Sequence, residues 1–475
     1  MKPWLKKSLK ISLVLTLLFA GAWLFENWRG RRALEKAEQR AADAGISLDP
    51  ARYQPAPVPD EENLLKNDLF FEEWKGDVEP RVQSWDKMNF LGTREPVRRY
   101  GINQLRGRSL DFSEFSDGHF SEEEIVNKLT EASGEVQVRL DQLSEIILSY
   151  PGQPLFQYLP TEAEPFPRTV NMSALRDLTE CFRDLAILNL RNDNAPSALR
   201  NIQVIGRLAE CFGGPSVFHH QWANSLRGIQ RQIIWEGLRL QSWNEGQLTE
   251  LPGATDLYES SDSLEQALKL KMAVLQSLFT HPDVKASQVW FFFGEYFAME
   301  SGPTLKNRVR DLYLLGGPSG WKAQRKAIVI DGFIDHLENR SRWSTRYLEK
   351  TKSPNVISPW NPFLLGYAGP AEFRHLIEME LDAHTRMRVA RLAILLELHF
   401  LKHGSYPDSI DDLAGRPKLL DANDPDERPL AFDLDSQGRP QIWSVREVKE
   451  NRQRLRWRYH EDSPPGKWKK TPVVK

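Results

Sequence analysis

The chain has 475 residues, of which 63 are lysine or arginine and 65 are aspartate or glutamate, so its formal net charge is only −2. This balance provides no global positive field of the kind that attracts nucleic acid, and we expect no nucleic-acid partner. Two cysteines in a chain of this length exclude a small domain held together by disulfides. The length allows two or three domains, and an apolar content of 40% is sufficient to build a core.

A hydrophobic run without charge extends from Ile11 to Phe25, behind a lysine-rich N-terminus. A membrane-spanning helix needs about 20 apolar residues, with about 17 as a lower limit, and Leu9 to Phe25 reaches that limit if Lys10 extends its amine outward. The alternative is a cleaved signal peptide with the small residues Ala20 to Ala22 at the cleavage site. Apolar residues continue beyond that site and three arginines follow, which favours an uncleaved anchor.

A short basic N-terminal tail usually stays on the cytoplasmic side of the membrane. We therefore predict a single-pass protein of the inner (cytoplasmic) membrane with its body on the extracytoplasmic side. The lipid bilayer is the first expected partner, through Ile11–Phe25. Glu26 to Ala44 should continue the membrane helix outward until Gly45 ends it, and the proline-rich stretch Ser47 to Asp60 should form a linker or surface strap.

Amphipathic helices dominate the middle of the chain. Helical patterns cover Ser121 to Tyr150, Phe218 to Trp243, Ser263 to Thr280 and Trp321 to Lys350. Met172 to Leu190 and Pro196 to Phe212 form the best-defined pair, a helical hairpin that turns near Asn194. In its second helix the apolar seam consists of Ala198, Ile202, Ile205, Ala209 and Phe212.

The C-terminal part combines a long helix with strands. Pro370 to His403 should be the longest helix of the body, with Gly404 as its terminator and an apolar stripe through Ala383, Met387, Ala390, Ile394 and Leu401. Asp408 or Ser409 should then cap one helical turn. Alternation with a period of two predicts strands near Leu430–Leu434 and Ile442–Val445, and a third strand over Arg454 to His460.

These elements predict a mainly α fold of packed helical hairpins with a long C-terminal helix, plus a small α+β module containing a three-stranded antiparallel meander. The predicted organisation is a membrane anchor with its flanks (1–32), a helical extension and proline-rich linker (33–60), an α-helical domain (61–370), the long helix with the β-meander module (371–460), and a basic disordered tail (461–475).

The order of these parts resembles a family of singly anchored bacterial envelope proteins without an assigned activity. The residues that support the resemblance are the proline strap ending in Pro57–Asn63, the segment Arg391–Ala393, and the segment His403–Ser409. A narrower similarity, over Arg391 to Val445, is to the major pseudopilin of type II secretion. Arg446–Lys449 stands where pseudopilins have a calcium loop, so the similarity implies a shared small module and no calcium site.

Candidate chemistry is sparse. Glu372 and His375 have the spacing of half a di-iron site, with Glu378, Asp382 and His384 nearby, but the second half is missing and a solvated helix face is favoured. His219 and His220 are adjacent in sequence, so they cannot chelate one ion together on a helix, and we expect them to face solvent. No zinc-protease, paired-cysteine, esterase or dinucleotide signature occurs, and we expect no cofactor, no metal and no catalytic residues.

Four arginines alternate with apolar residues near the C-terminus and would share one face of the third strand: Arg452, Arg454, Arg456 and Arg458. This face either binds an anionic ligand or protects a strand edge from pairing, and the second interpretation is favoured. The favoured function is a membrane-anchored, non-catalytic scaffold or interaction protein of the bacterial cell envelope, with a protein partner on the helical hairpins. The alternatives are an envelope hydrolase with a site lacking a known motif, and an accessory of a secretion or pilus system.

Overall fold

A computed structural model of the protein describes residues 3–53, 58–64, 122–151, 172–214, 216–255, 261–280, 319–339, 369–413, 419–422, 428–435, 438–445 and 456–458, with isolated positions between them. Nine helices lie in this part of the chain. They are α1 (Pro3–Asp43), α2 (Glu122–Ser149), α3 (Met172–Arg191), α4 (Ala195–Phe212), α5 (Val217–Arg239), α6 (Glu245–Thr255), α7 (Ser261–Thr280), α8 (Ser319–Glu338) and α9 (Gly369–His403). The predicted mainly α architecture is confirmed for the described residues.

The predicted hairpin is the pair α3 and α4, and local chemistry sets its turn. Asp193 adopts a positive φ of 56°, and the Asn194 side chain accepts a hydrogen bond from the Ser197 backbone N–H at 3.4 Å, which caps α4. Pro196 follows in the first turn of α4, where its missing N–H costs nothing. All five residues of the predicted α4 seam are buried, which confirms that α4 packs along this stripe.

Two hydrophobic cores organise the helices. The larger core contains residues of helices α2 through α6 and of the second half of α9, and it extends to Ile442 in the β-hairpin. The smaller core is built mainly from α7, α8 and the second half of α1. The N-terminal helix is therefore a structural element of the body as well as an extension beyond it.

α1 runs without interruption from Pro3 to Asp43, and Gly45 takes a φ of +69° immediately after it, as predicted. The chain then folds back on itself. The Tyr53 hydroxyl accepts from the Ser47 backbone N–H at 2.8 Å and donates to the Ser47 carbonyl at 2.9 Å. Tyr53 also packs against the smaller core, so the start of the proline-rich segment is attached to the body.

Two helical predictions need correction. α8 ends at Glu338 rather than at Lys350, and the Trp343 indole N–H donates to the His336 carbonyl at 2.9 Å, so the chain turns back over the end of the helix. In α9, Ala383, Met387 and Ile394 are buried, but Leu401 is exposed because the last turn of the helix extends beyond the core. Gly404, with a φ of +75°, ends α9 as predicted.

The C-terminal module begins with a capping box. The Ser409 side chain accepts from the Asp411 N–H, and the Asp412 carboxylate accepts from the Ser409 N–H, which confirms the predicted one-turn helix. Strands β1 (Ala431–Leu434) and β2 (Pro440–Trp443) then form an antiparallel hairpin with Phe432 opposite Ile442.

Asp421 attaches this hairpin to α9. Its buried carboxylate accepts from the hydroxyls of Thr385 on α9 (3.2 Å) and Ser444 after β2 (2.6 Å), and from the Val445 N–H (2.8 Å).

The well-defined sheet is this two-stranded hairpin rather than the predicted three-stranded meander. Only the three residues of β3 (Arg456–Arg458) run antiparallel beside β2, with Trp457 opposite Ile442. The remainder of the predicted strand lies outside the described residues, and so do the side chains of β3. A full third strand over Arg454 to His460 therefore stays a prediction.

Candidate functional site

The exposed apolar part of α1 is the first functional feature. The large aliphatic and phenylalanine side chains from Leu9 to Phe25 are more than half exposed, for example Leu18 at 65% and Leu24 at 67%, whereas Trp23 is partly buried. Among the described helices, α1 alone is long and apolar enough to cross a membrane, a property that a signal sequence shares. The prediction of an N-terminal membrane segment is confirmed to this extent.

Beyond Phe25, α1 crosses α8 at a glycine pair. A Cβ atom added at Gly30 would lie 1.9 Å from the Gly320 carbonyl oxygen, and one added at Gly320 would lie 2.0 Å from the Glu26 carbonyl oxygen. Both positions therefore require glycine, because any side chain would push the two backbones apart. The backbones of α1 and α8 therefore lie in direct contact at this crossing.

Polar side chains surround the crossing. One oxygen of Glu26 accepts hydrogen bonds from Arg29 (2.8 Å), the Trp321 indole (3.0 Å) and Gln324 (3.0 Å). Asn27 accepts from the Gly320 backbone N–H at 2.8 Å and so caps the first turn of α8. The start of α8 is thus fixed beside the point where α1 leaves its exposed apolar stretch.

The contact continues along both helices in parallel. Ala37 and Ala41 are buried in the smaller core, and Leu34 packs against it. At the far end, the Arg40 guanidinium lies 3.3 Å from Asp331, 2.5 Å from Asp335 and 2.8 Å from Glu338. The side chains of α1 facing α8 recur every three or four residues over about four turns, so the second half of α1 is joined to the body along its length and not through a hinge.

A buried cluster between α5 and α9 is the second feature. Glu380 is only 4% exposed, and its Oε2 lies 2.7 Å from His220 Nε2. Asn224 donates to the same oxygen at 3.3 Å. His384, one turn further along α9, places Nε2 3.2 Å from Glu380 Oε1, close enough for charge attraction but not aligned as a hydrogen bond.

The electrostatics of this cluster favour an ionised carboxylate. Burial by itself raises the pKa of Glu380, but the hydrogen bond from His220 and the charges of His220 and His384 outweigh burial and hold that pKa well below its usual value of 4.5. The two imidazoles take different carboxylate oxygens, so their nitrogens do not converge on one point. In the described part of the chain, no group of three or more histidine, cysteine or acidic side chains is arranged to hold a metal ion. The cluster therefore acts chemically as a buried, hydrogen-bonded link between α5 and α9.

The predicted exposure of His219 and His220 is wrong, since both are buried at 6% and 7% exposure. α9 covers this end of α5, and the pairing with Glu380 offsets the cost of burying His220. His219 lies 2.9 Å from the Ser216 hydroxyl, and burial lowers its pKa to about 4. The acids of α9 predicted as candidates did not include Glu380, although its spacing of four residues from His384 was a usable signal.

Other predicted site residues are placed only in part. The side chains of Glu372 and His375, and all of Arg452 and Arg454, lie outside the described residues. Arg456 and Arg458 flank Trp457 in β3, opposite Trp443 and Gln441 of β2, and their predicted anionic-ligand face stays a prediction.

Cys181 and Cys211 form no disulfide bond with each other. Burial raises the pKa of the Cys211 thiol to about 12, so this residue is not a poised nucleophile.

The comparisons with known proteins leave the family open. The two resemblances suggested by the sequence concern the order of parts and the C-terminal module, and they stay predictions. No protein-family model, curated protein or solved structure matches this chain.

Proposed function

We propose that this protein is a membrane-anchored, non-catalytic scaffold or interaction protein of the bacterial cell envelope, with its body on the extracytoplasmic side of the inner membrane. One observation carries the proposal: α1 is a single helix of 41 residues whose apolar part is exposed while its polar part belongs to the smaller core. A body built onto its own membrane helix is held at a constant height and orientation, which suits a protein that positions partners.

The buried polar groups support a structural role for the body. Glu380 links α5 to α9, and Glu236 on α5 lies 3.0 Å from Arg191 on α3 and 2.5 Å from Arg239. Asp421 links α9 to the β-hairpin. These acids are engaged by neighbouring elements, so their chemistry supports packing between helices rather than turnover of a substrate.

The finer parts of the proposal concern partners. We place a protein partner on the helical hairpins, where α2 presents the 65% exposed Val138 and α4 presents the exposed Gln203. We also propose that Arg454 to His460 completes the β-meander, with the arginine face available to an anionic envelope component. The resemblance to pseudopilins makes an accessory of a secretion or pilus system the related alternative.

The location is tested by fractionating bacteria that express the full chain. We expect the protein in the membrane pellet after alkaline carbonate extraction, and we expect external protease to digest the body in spheroplasts but not in intact cells. N-terminal sequencing should show a retained N-terminus. Release by carbonate, or a mature chain that begins at Trp23, would refute the anchor.

The scaffold role is tested by photo-crosslinking in the native host. A photoreactive amino acid at Val138 or Gln203 should yield discrete adducts of higher mass. The same amino acid at Asp433, an exposed position of the β-hairpin, is the matched control. If neither hairpin position yields an adduct above the control, the proposed interaction role on the hairpins is wrong.

A further inference from the structure

We infer that a basic collar, defined as Arg31 and Arg32 of α1 with Lys322 of α8 and the ring of Trp28, binds the phosphate headgroups of anionic phospholipids. The inference rests on the proposed insertion of α1 into the membrane. The three cations are exposed, and they come from two helices that meet at the Gly30–Gly320 crossing.

The collar lies at the height of the headgroups. Phe25 is the last large exposed apolar residue of the membrane segment, and Trp28, at 53% exposure, is an interfacial aromatic. At 1.5 Å per residue, Arg31 and Arg32 lie about 6 and 7.5 Å beyond Asn27 along the axis. A bilayer is about 40–45 Å thick in total and its hydrocarbon core is about 30 Å thick, so the headgroup region on each side is about 5–8 Å thick.

Lys322 belongs to the same layer because the two helices run in parallel. Asn27 is hydrogen-bonded to Gly320, and Lys322 follows two residues later, about 3 Å further along the axis of α8. The first turn of α8 does not add an anion site of its own, since Asn27 already occupies it.

The charges of the collar are available for an external anion. Within the described part of the chain, Arg31 and Arg32 form no ion pair, whereas Arg29 is engaged by Glu26 at 2.8 Å. The Arg32 guanidinium lies over the Trp28 ring, 5.5 Å from its centroid, which orients it beside the membrane surface. One guanidinium group can donate two parallel hydrogen bonds to the oxygens of a phosphate. Arginine therefore suits this partner better than lysine, which acts as a point charge.

The apolar segment that continues directly into the collar identifies the partner as a lipid rather than a soluble anion. Each basic residue close to an anionic membrane strengthens the association about fivefold. Loss of Arg31 and Arg32 together should therefore weaken the preference for anionic lipid about 25-fold, and added salt should weaken the wild-type preference because these charges are exposed.

The test uses the full chain purified in a neutral detergent and exposed to phosphatidylglycerol and phosphatidylcholine at equal concentration. Native mass spectrometry counts the bound lipids. The test variant is R31Q/R32Q, and K322Q is a second, independent variant. The control is K36Q/R52Q, which removes the same charge from exposed positions outside the collar, with Lys36 about 13 Å beyond Asn27 along the axis of α1. Thermal unfolding of every variant confirms that it is folded.

We expect the wild type and the control to retain phosphatidylglycerol preferentially, and R31Q/R32Q to bind both lipids alike. Equal binding by the wild type, or a preference that persists in both collar variants, would overturn the inference. Displacement of the lipid by millimolar inorganic phosphate would also overturn it, because the ligand would then be a free anion. Failure here, in a protein that carbonate does not extract, leaves the proposed anchor and scaffold intact.

Discussion

One methyl group at the crossing of α1 and α8 should separate α1 from the body. In G30A the new Cβ would lie 1.9 Å from the Gly320 carbonyl oxygen, and an ordinary contact begins at 3.4 Å. The helices would have to move apart by about 1.5 Å, which is 3.4 minus 1.9. A gap of about 0.5–1 Å between two atoms already removes a quarter to a half of their dispersion energy, so the side-chain packing beside the crossing weakens as well.

The magnitude follows from two opposing effects. Overpacking in cores costs about 1–3 kcal/mol, and a clash between two backbones falls at the upper end of that range. Replacing a helical glycine by alanine returns up to about 1 kcal/mol of conformational entropy. The net cost of G30A is therefore about 2 kcal/mol, and G320A should behave in the same way because its Cβ would lie 2.0 Å from the Glu26 carbonyl oxygen.

Thiol labelling measures the opening of this contact. Ala37 is 1% exposed beneath α8, so A37C in a chain with both native cysteines replaced reports when α1 lifts away. A cost of about 2 kcal/mol should raise the labelling rate about 30-fold, since local opening exposes the thiol.

The matched control for this prediction is G228A in α5. Its Cβ would meet only the far end of the Arg231 side chain, at 3.4 Å, so this variant should not be destabilised and should leave the labelling rate unchanged. Equal labelling of G30A and wild type would show that the crossing is not close-packed and would refute the reasoning.

Three further predictions concern buried groups. His219 has a pKa of about 4 in the folded protein and 6.5 in the unfolded chain, so the unfolded chain binds more protons between these two pH values. The free energy of unfolding should therefore fall by about 3 kcal/mol as the pH drops from 6.5 to 4. H219Q should flatten that part of a pH–stability profile. Glu380 has a lowered pKa, so its contribution is fully present above about 4.5 and is lost progressively as the pH falls from that value toward the lower pKa of the folded state. E380A should cost about 3–5 kcal/mol at pH 7 in thermal or denaturant unfolding, and a cost below 1 kcal/mol would contradict the role of Glu380 as a buried link. D421A should cost about 3 kcal/mol or more and expose the C-terminal hairpin to protease, because three donors lose their acceptor, two of them buried hydroxyls. D433A, at an exposed position of β1, should change stability by less than about 0.5 kcal/mol.

Local chemistry determined much of this fold, and it could be predicted from the sequence. The hairpin turn depends on Asn194, a residue that caps the helix beginning immediately after it. Gly404 ends α9 because it adopts a positive φ, and Ser409 caps the next turn through its own side chain. The exposed apolar part of α1 is a property of consecutive residues. In each case the interacting groups lie within a few positions of one another, so the sequence pattern is sufficient.

Tertiary packing decided the features that matter for the sites. The crossing joins Gly30 to Gly320, and nothing near either glycine indicates its distant partner. His220 was expected to face solvent because its neighbours in sequence permit this, yet α9 brings Glu380 to within 2.7 Å of it. A helix pattern shows which side is apolar, but it does not show which other helix will cover a given turn. Pairings across hundreds of residues depend on the packing of all the helices together, because a buried charge is retained only where a partner from another element meets it.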